Sequence, residues 1–138
     1  MIYTIGYQKQ TIDRLIQVMD EKKVGLLVDV RSIPYGRRHE FNRKNFEKIL
    51  GPRYAWLGDM LGGKFGPAKP EGLVRLAALA NQFPILVLCM EDNPRDCHRY
   101  YDIGVRLLER GIDAVHIHEA KELRTSELLN SNQEGKLL

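Results

Sequence analysis

Three adjacent residues, Cys97-His98-Arg99, combine a nucleophile, a base and a cation. They follow an Asn-Pro pair at positions 93–94, which is typical of a helix N-cap and first helical residue, so we expect them in the first helical turn. There the helix dipole favours a thiolate and a neutral imidazole. Cys97 is therefore a candidate reactive thiol, with a packed small side chain as the alternative. His98 is a candidate general base whose tautomer Asp102, four residues later, could fix.

A second group of candidates follows the predicted strand at residues 25–30. Asp29 interrupts an aliphatic run, and an acid in such a place must be paired or hydrogen-bonded to remain charged. Arg31 comes two residues later and points in the same direction. Two interpretations remain open: an ion pair that anchors the loop, or a site in which Asp29 handles protons and Arg31 holds an anion.

Residues 89–95, which begin with Cys89 and end with Arg95, match the C-x5-R spacing of cysteine phosphatases. Glu91 and Asp92 argue against that class, because they put negative charge where a phosphate must sit. Cys89 is then a small buried apolar residue at a strand end, and Glu91 is a candidate for proton transfer. A metal site would join Cys97 or Cys89 with His98 and with the strand histidines His116 and His118, but the two thiols lack the C-x-x-C spacing of common metal sites. We therefore assign no metal ligand, and the sequence identifies no cofactor.

Positive charge is concentrated in one part of the chain. Residues 31–69 carry nine basic side chains and three acidic ones, although the net charge of the whole chain is only +3. Cations mixed with aromatic rings are typical of sites that contact phosphates and bases. An anionic small molecule or a nucleic acid is the expected partner, and a solvated surface is the alternative. The candidate substrate-binding residues are Arg31, Arg37, Arg38, Asn42 and Arg99.

The elements that position these residues alternate between strands and helices. Short apolar runs such as residues 25–30 and 85–90 are typical of strands buried in a parallel sheet. The spacing of apolar residues predicts helices near residues 12–19, 71–82 and 93–110. The pattern predicts a single α/β domain with a mainly parallel sheet of four to five strands, helices on both faces and a basic, loop-rich insertion. Such sheets bind ligands beyond the carboxyl ends of their strands, where most of the candidates fall.

The length of 138 residues fits one domain. We assign residues 1–120 to this domain, with the insertion at residues 31–70, and residues 121–138 to a polar C-terminal tail. The longest apolar runs are much shorter than the roughly 20 residues that cross a bilayer. The N-terminus lacks the pattern of a secretory signal, so we expect a cytoplasmic protein. The sequence leaves the oligomeric state open.

Several short motifs together resemble the bacterial and archaeal domain-of-unknown-function family 488. They are Thr4-Ile-Gly-Tyr7, Asp29-Val-Arg-Ser-Ile-Pro34 with Arg38 and Phe41-Asn42, Leu61-Gly-Gly63, and Leu88-Cys-Met-Glu91 leading to Cys97-His-Arg99. The resemblance covers about residues 1–118 and implies one α/β domain in which these positions form a polar centre. It implies no particular reaction, and Tyr7 stands where many members have His or Ser.

A looser likeness connects Asp29-Val-Arg and Cys89 with rhodanese-type domains. It would make Cys89 a persulfide carrier, but Glu91 and Asp92 would repel an anion there.

From the candidate residues and the basic insertion together, we expect an enzyme that acts on an anionic, nucleotide-like or nucleic-acid substrate, with Asp29, Glu91 and His98 as catalytic residues. The alternative is a non-catalytic module that binds nucleic acid through the basic insertion.

Overall fold

Short aliphatic runs form the strands of one sheet in the computed structural model, which describes the backbone of residues 1–137 and the side chains of residues 1–131. The strands are β1 (Ile2–Gly6), β2 (Leu26–Asp29), β3 (Tyr54–Trp56), β4 (Ile85–Cys89), β5 (Val115–His118) and β6 (Lys121–Arg124). The α-helices are α1 (Ile12–Glu21), α2 (Arg43–Leu50), α3 (Gly58–Leu61), α4 (Pro70–Gln82), α5 (Val105–Glu109) and α6 (Thr125–Leu137). A π-helical segment, Arg99–Gly104, runs directly into α5.

The six strands lie in the order β3-β2-β4-β1-β5-β6. All neighbours are parallel except β5 and β6. This arrangement confirms the predicted single-domain α/β fold with a mainly parallel sheet. The strand count is slightly higher than predicted because β3 and β6 extend the sheet at its two edges.

Helices cover both faces of the sheet, as the sequence predicted. Because alternate strand residues point to opposite faces, Leu86 and Leu88 pack with α1 and α2, whereas Ile85 and Val87 pack with α3, α4 and α5. Thr11 caps α1 by accepting a hydrogen bond from the backbone N–H of Arg14 at 3.1 Å. These two apolar layers fix the strand ends around which the polar candidates gather.

Loops at the centre of the sheet leave in different directions. The connection after β1 passes through α1 on one face, while the connection after the adjacent β4 passes through the π-helical segment and α5 on the other. Two diverging loops leave a crevice beyond the carboxyl ends of their strands. Within the described residues, no helix combines the length and apolar character needed to span a membrane.

The segment assigned to a polar tail contains regular structure. β6 pairs antiparallel with β5, and the first residue of α6, Thr125, is buried. The backbone N–H of Thr125 donates to the carbonyl of Ala114 at 3.0 Å. Residue 138, the last of that predicted tail, lies outside the described residues.

Candidate functional site

An open cleft of about 710 Å³ lies at the carboxyl ends of β1, β2 and β4. We call it the cleft. Each of these strands is followed by residues that line it, and His98 and Tyr101 line it from the following helical segment. The lining residues used below are Tyr7, Arg31, Tyr35, Arg37, Arg38, Gly63, Lys64, Cys89, Glu91, His98 and Tyr101.

The backbone before His98 differs from the uninterrupted helix that the sequence predicted. Asn93 is an N-cap, since its side chain accepts from the backbone N–H of Arg95 at 3.0 Å, but only the short 3-10 turn Pro94–Asp96 follows. Cys97 then takes an extended conformation, with φ of −127° and ψ of 141°. Its carbonyl accepts hydrogen bonds from the backbone N–H groups of Tyr100 and Tyr101. Cys97 therefore immediately precedes the helical segment instead of lying in the first turn of a longer helix.

The interruption brings two thiols and an imidazole together. The Sγ atoms of Cys89 and Cys97, which we call the thiol pair, lie 2.8 Å apart. His98 Nδ1 lies 3.4 Å from Cys89 Sγ and 3.8 Å from Cys97 Sγ. His98 Nε2 lies 3.3 Å from the carbonyl oxygen of Val30. A carbonyl can only accept, so Nε2 carries a proton, and Nδ1 faces the sulfurs, where it accepts from a thiol when neutral and donates to a thiolate when protonated.

The sequence suggested that Asp102 orients His98. In the structure, the Val30 carbonyl orients it instead. Asp102 instead accepts from the backbone N–H of Ala68 at 2.7 Å and lies 3.5 Å from Arg106. The loop that contains Ala68 runs close to this helical segment, and a carboxylate so engaged is not available to the imidazole. Sequence spacing did not reveal this competing partner.

The charge state of the thiol pair follows from its neighbours. The hydrogen bond with Cys89, together with His98 and the charge of Arg99, lowers the pKa of Cys97 to about 4 against the effect of burial. The same hydrogen bond and burial raise the pKa of Cys89 well above its usual range. Burial lowers the pKa of His98, but the hydrogen bond and charge of Cys97, the Val30 carbonyl and the charge of Asp102 together outweigh it, so the pKa is raised. The pair therefore shares one proton and one negative charge.

Arg99 is fully buried, with 0% exposure, and does not line the cleft. Its guanidinium donates to the carbonyls of Glu91 at 2.6 Å and Asp92 at 3.1 Å, and to the hydroxyl of Thr4 at 3.0 Å. No carboxylate among the described side chains forms an ion pair with it. Arg99 thus braces the loop after β4 and contributes a buried positive charge close to the thiol pair.

Asp29 is fully buried in an ion pair. Arg31 donates to it through Nε at 2.9 Å and Nη2 at 2.7 Å, and the hydroxyl of Tyr54 donates at 2.6 Å. Burial and the neighbouring carboxylate raise the pKa of Tyr54, which keeps this donor protonated. Arg31 also donates to the carbonyl of Phe41 at 2.7 Å, so the pair ties β2 to the insertion. Arg31 borders the cleft, whereas Asp29 does not.

The two remaining arginine candidates differ: Arg38 binds backbone carbonyls, whereas Arg37 is exposed. Arg38 donates to the carbonyls of Tyr7 at 3.0 Å, Gln8 at 2.9 Å and Gln10 at 2.6 Å, which fastens the insertion to the loop after β1. Arg37 is exposed at the cleft and forms no ion pair with any described side chain.

Asn42 lies away from the cleft. Its Oδ1 accepts from the backbone N–H of Gly36 at 2.7 Å. It therefore shapes the loop that carries Arg37 and lines a neighbouring groove of about 780 Å³, which we call the second groove. Arg43, Lys44 and Trp56 also line this groove.

Glu91 borders the cleft, and its carboxylate forms no ion pair with the described side chains. Its backbone is held from two sides: Arg99 binds its carbonyl, and β1 approaches so closely that a Cβ on Gly6 would lie 1.7 Å from that carbonyl oxygen. Sequence reasoning missed this contact, since nothing local to Gly6 indicates what lies across the sheet.

Two groups of side chains offer ligand atoms close enough for a metal ion. One is Cys89, Cys97 and His98, and the other is Asp92, His118 and Glu119. Two thiolates on a tetrahedral zinc, with bonds of about 2.3 Å, lie about 3.8 Å apart. The two sulfurs are 2.8 Å apart and are thus closer than such an ion would hold them. In the second group, His118 Nε2 lies 3.2 Å from the carboxylate of Asp92, so these two side chains already contact each other.

Comparison with protein-family models matches residues 11–69 to the Domain of unknown function DUF488. No curated protein and no solved structure matches the chain. The matched segment holds α1, β2 and nearly all of the basic insertion, including the ion pair and the cations described above. The match confirms the resemblance that the motifs indicated: over residues 11–69 the chain is similar to the DUF488 family.

Proposed function

We propose that the protein is an enzyme acting on an anionic, nucleotide-like or nucleic-acid substrate held in the cleft. One observation carries this proposal: unpaired cations, an oriented imidazole and an unpaired carboxylate border the same opening. Arg37 and Lys64 supply the positive charge, and no described carboxylate pairs with either. His98 and Glu91 are the groups that could move protons.

Exposed aromatic rings favour a substrate with a flat ring. Tyr35 is 69% exposed and Tyr101 is 59% exposed, and both border the cleft. Bases stack on such rings, and phosphates bind to nearby cations. This combination supports a nucleotide-like ligand over a simple inorganic anion.

The candidate residues take different roles in this proposal. His98 and Glu91 are the catalytic residues, and Arg37 and Lys64 hold the substrate. Asp29, Arg38 and Arg99 act through the loops they brace, because their hydrogen bonds go to protein groups and not into the cleft. Arg31 borders the cleft while bound to Asp29, and Asn42 holds the Arg37 loop. We also place the protein in the cytoplasm, where its free thiols would be kept reduced.

A substrate screen tests the proposal. Nucleotides and short single-stranded DNA and RNA are assayed for turnover by chromatography and for binding by fluorescence anisotropy. Arg37→Glu should weaken binding about tenfold or more at low salt, because it reverses a charge at the opening. Glu91→Gln should abolish turnover and leave binding in place. Lys48→Glu makes the same charge change away from the cleft and is the matched control.

The proposal fails if no member of the screen is turned over, or if turnover survives both Glu91→Gln and His98→Gln. Asp29→Asn should act differently, because it leaves the buried Arg31 charge without its partner. It should lower the free energy of unfolding by about 3–5 kcal/mol. Loss of turnover in a stable Asp29→Asn protein would give Asp29 a direct role instead.

A second candidate function is a non-catalytic nucleic-acid-binding module. The second groove favours it, since Arg43 lies 5.0 Å from the centre of the Trp56 ring, and Lys44 is adjacent. Such binding should weaken steeply as salt rises. Arg43→Glu combined with Lys44→Glu should remove it, while Glu91→Gln should not. Binding of this kind without turnover would establish the module in place of the enzyme.

A further inference from the structure

We propose that Cys89 and Cys97 form a dithiol–disulfide redox couple at the cleft, and that Arg99 and His98 stabilise its reduced form. This inference goes beyond the proposed function, because it assigns electron transfer to two thiols that the substrate site does not require. It rests on the distance between the sulfurs, on which of them borders the cleft, and on the buried charge beside them.

The geometry of the thiol pair suits a disulfide. The sulfurs are 2.8 Å apart, and a disulfide bond is about 2.05 Å long, so a side-chain movement of less than about 1 Å would close it. Both cysteines are free and both belong to the same apolar core, on the face that carries α3, α4 and α5. Their approach requires the extended conformation of Cys97, which turns the chain back towards the end of β4.

One sulfur of the pair borders the cleft and the other does not. Cys89 is among the cleft-lining residues, next to His98, whereas Cys97 lies behind it with 2% exposure. A small reagent in the cleft therefore reaches Cys89 first, and Cys97 is placed to resolve the product. This is the division between attacking and resolving thiols that dithiol chemistry needs.

The buried charge sets the direction of the equilibrium. A buried cation without a carboxylate partner is costly unless a nearby negative charge compensates it. Arg99 lies in this situation, and the charge shared by the thiol pair provides the compensation, as its effect on both thiols indicates. Oxidation to a disulfide would remove that negative charge and also the hydrogen bond to His98. The reduced form is therefore favoured, which makes the disulfide comparatively oxidising.

The reaction partner is a low-molecular-weight disulfide, R–S–S–R. The proton of Cys89 passes to Cys97 or His98, and the Cys89 thiolate attacks one sulfur of the reagent, breaking its S–S bond and releasing RS⁻. The first RS⁻ takes up that proton, and the Cys97 thiolate then attacks Cys89 Sγ, forming the intramolecular disulfide and releasing the second RS⁻. The second RS⁻ takes a proton from water. The pair loses two electrons and its one shared proton, and the reagent becomes two molecules of RSH.

A redox titration of the full chain tests this proposal. The protein is equilibrated anaerobically with mixtures of reduced and oxidised glutathione in the presence of a chelator, then quenched with acid and alkylated. Intact-mass spectrometry counts the alkyl groups. We expect one transition from two alkylated thiols to none, at a more oxidising glutathione ratio than a thioredoxin treated alongside.

Variants separate the couple from simple thiol reactivity. Cys97→Ser should leave Cys89 as a lasting mixed disulfide with glutathione, because nothing resolves it. His98→Gln should shift the midpoint to more reducing ratios, changing the equilibrium constant about tenfold for each unit by which it raises the pKa of the thiolate. His118→Gln removes a half-buried imidazole at the end of β5 and should leave the midpoint unchanged. Circular dichroism confirms that each variant is folded.

Three results would overturn the inference. These are two thiols that stay alkylatable at every ratio, mixed disulfides that accumulate on the unaltered protein, and, in a parallel titration without the chelator, thiols that do not react because a bound metal holds them. The titration uses no nucleotide. It therefore succeeds or fails independently of the substrate screen.

Discussion

His116 lies at the centre of a buried hydrogen-bonded chain. Its Nδ1 is 2.6 Å from the hydroxyl of Thr4, and its Nε2 is 2.7 Å from the hydroxyl of Thr125. Burial, and secondarily the charge of Arg99, lowers its pKa to about 3, although Asp113 acts in the opposite direction. The imidazole is thus neutral in the folded protein over a wide range of pH, and Thr4 links it to the guanidinium that braces the cleft.

This environment predicts an acid-dependent loss of stability. In the unfolded chain a histidine takes up its proton near pH 6.5, whereas folded His116 does so only near pH 3. The unfolded state therefore binds the extra proton between these values, and stability falls as the pH drops through this window. We expect this contribution to approach about 1.4 kcal/mol per pH unit.

Urea unfolding at several pH values between 7.5 and 4 measures the effect. His116→Gln should flatten the dependence while lowering stability at pH 7.5, and His39→Gln, which alters an exposed histidine, should not. Equal slopes for the unaltered protein and His116→Gln would show that the proton is taken up elsewhere.

The chemical types at the site were predictable, but their partners were not. Asp29 stood out because an acid in an aliphatic strand needs a partner, and Arg31 two residues later supplied it. Arg99 gave no such sign: its acceptors are mostly backbone carbonyls, which every residue has. Tyr54 was missed as a third member of the Asp29 pair, since it lies 25 residues away and meets β2 only through the sheet.

At the scale of elements, strands were recognised when their residues were aliphatic and buried. β2 and β4 met this condition, and their boundaries are close to those predicted. β3 has only three residues, and β6 has the largely exposed sequence Lys-Glu-Leu-Arg, so neither carries the apolar pattern of a strand. The edge strands depend on their neighbours and not on their own composition.

The close contact between β1 and the loop after β4 gives an element-scale prediction. Gly6→Ala should lower the free energy of unfolding by about 2 kcal/mol or more, because its Cβ cannot fit 1.7 Å from the Glu91 carbonyl oxygen. It should also weaken ligand binding, since that loop carries Glu91 into the cleft. Chemical denaturation and the anisotropy assay measure the two effects.

Gly36→Ala is the matched control, because a Cβ there meets nothing within 4 Å. It should change stability by no more than about 0.5 kcal/mol. A Gly6→Ala protein as stable as this control would mean that the β4 loop moves aside freely.

At the scale of the whole molecule, we propose that the folded unit extends beyond residue 120. Thr125 is fully buried against His116, and Leu128 is 2% exposed. Ser126 donates through its backbone N–H to Asp113 at 3.1 Å. These contacts could not be predicted from the sequence, because the segment is polar overall and only a few of its side chains face the core.

A chain that ends at residue 120 should therefore be much less stable than the full chain. It loses β6, exposes the β5 edge and leaves His116 without the Thr125 hydroxyl. Thermal unfolding and size-exclusion chromatography should show a lower midpoint and aggregation. Thr125→Ala in the full chain removes the hydroxyl alone and should cost about 1–3 kcal/mol. A shortened chain that melts like the full one would restore the boundary at residue 120.

Trp56 is the chain's single tryptophan, and it stands at an informative place. Its indole N–H donates to the Arg31 carbonyl at 2.8 Å, and its ring lines the second groove beside Arg43. Indole emission responds to polarity and to nearby cations. The protein thus carries an intrinsic fluorophore. Its signal reports movement of the loop after Arg31, which lies between the cleft and the second groove, without any added label.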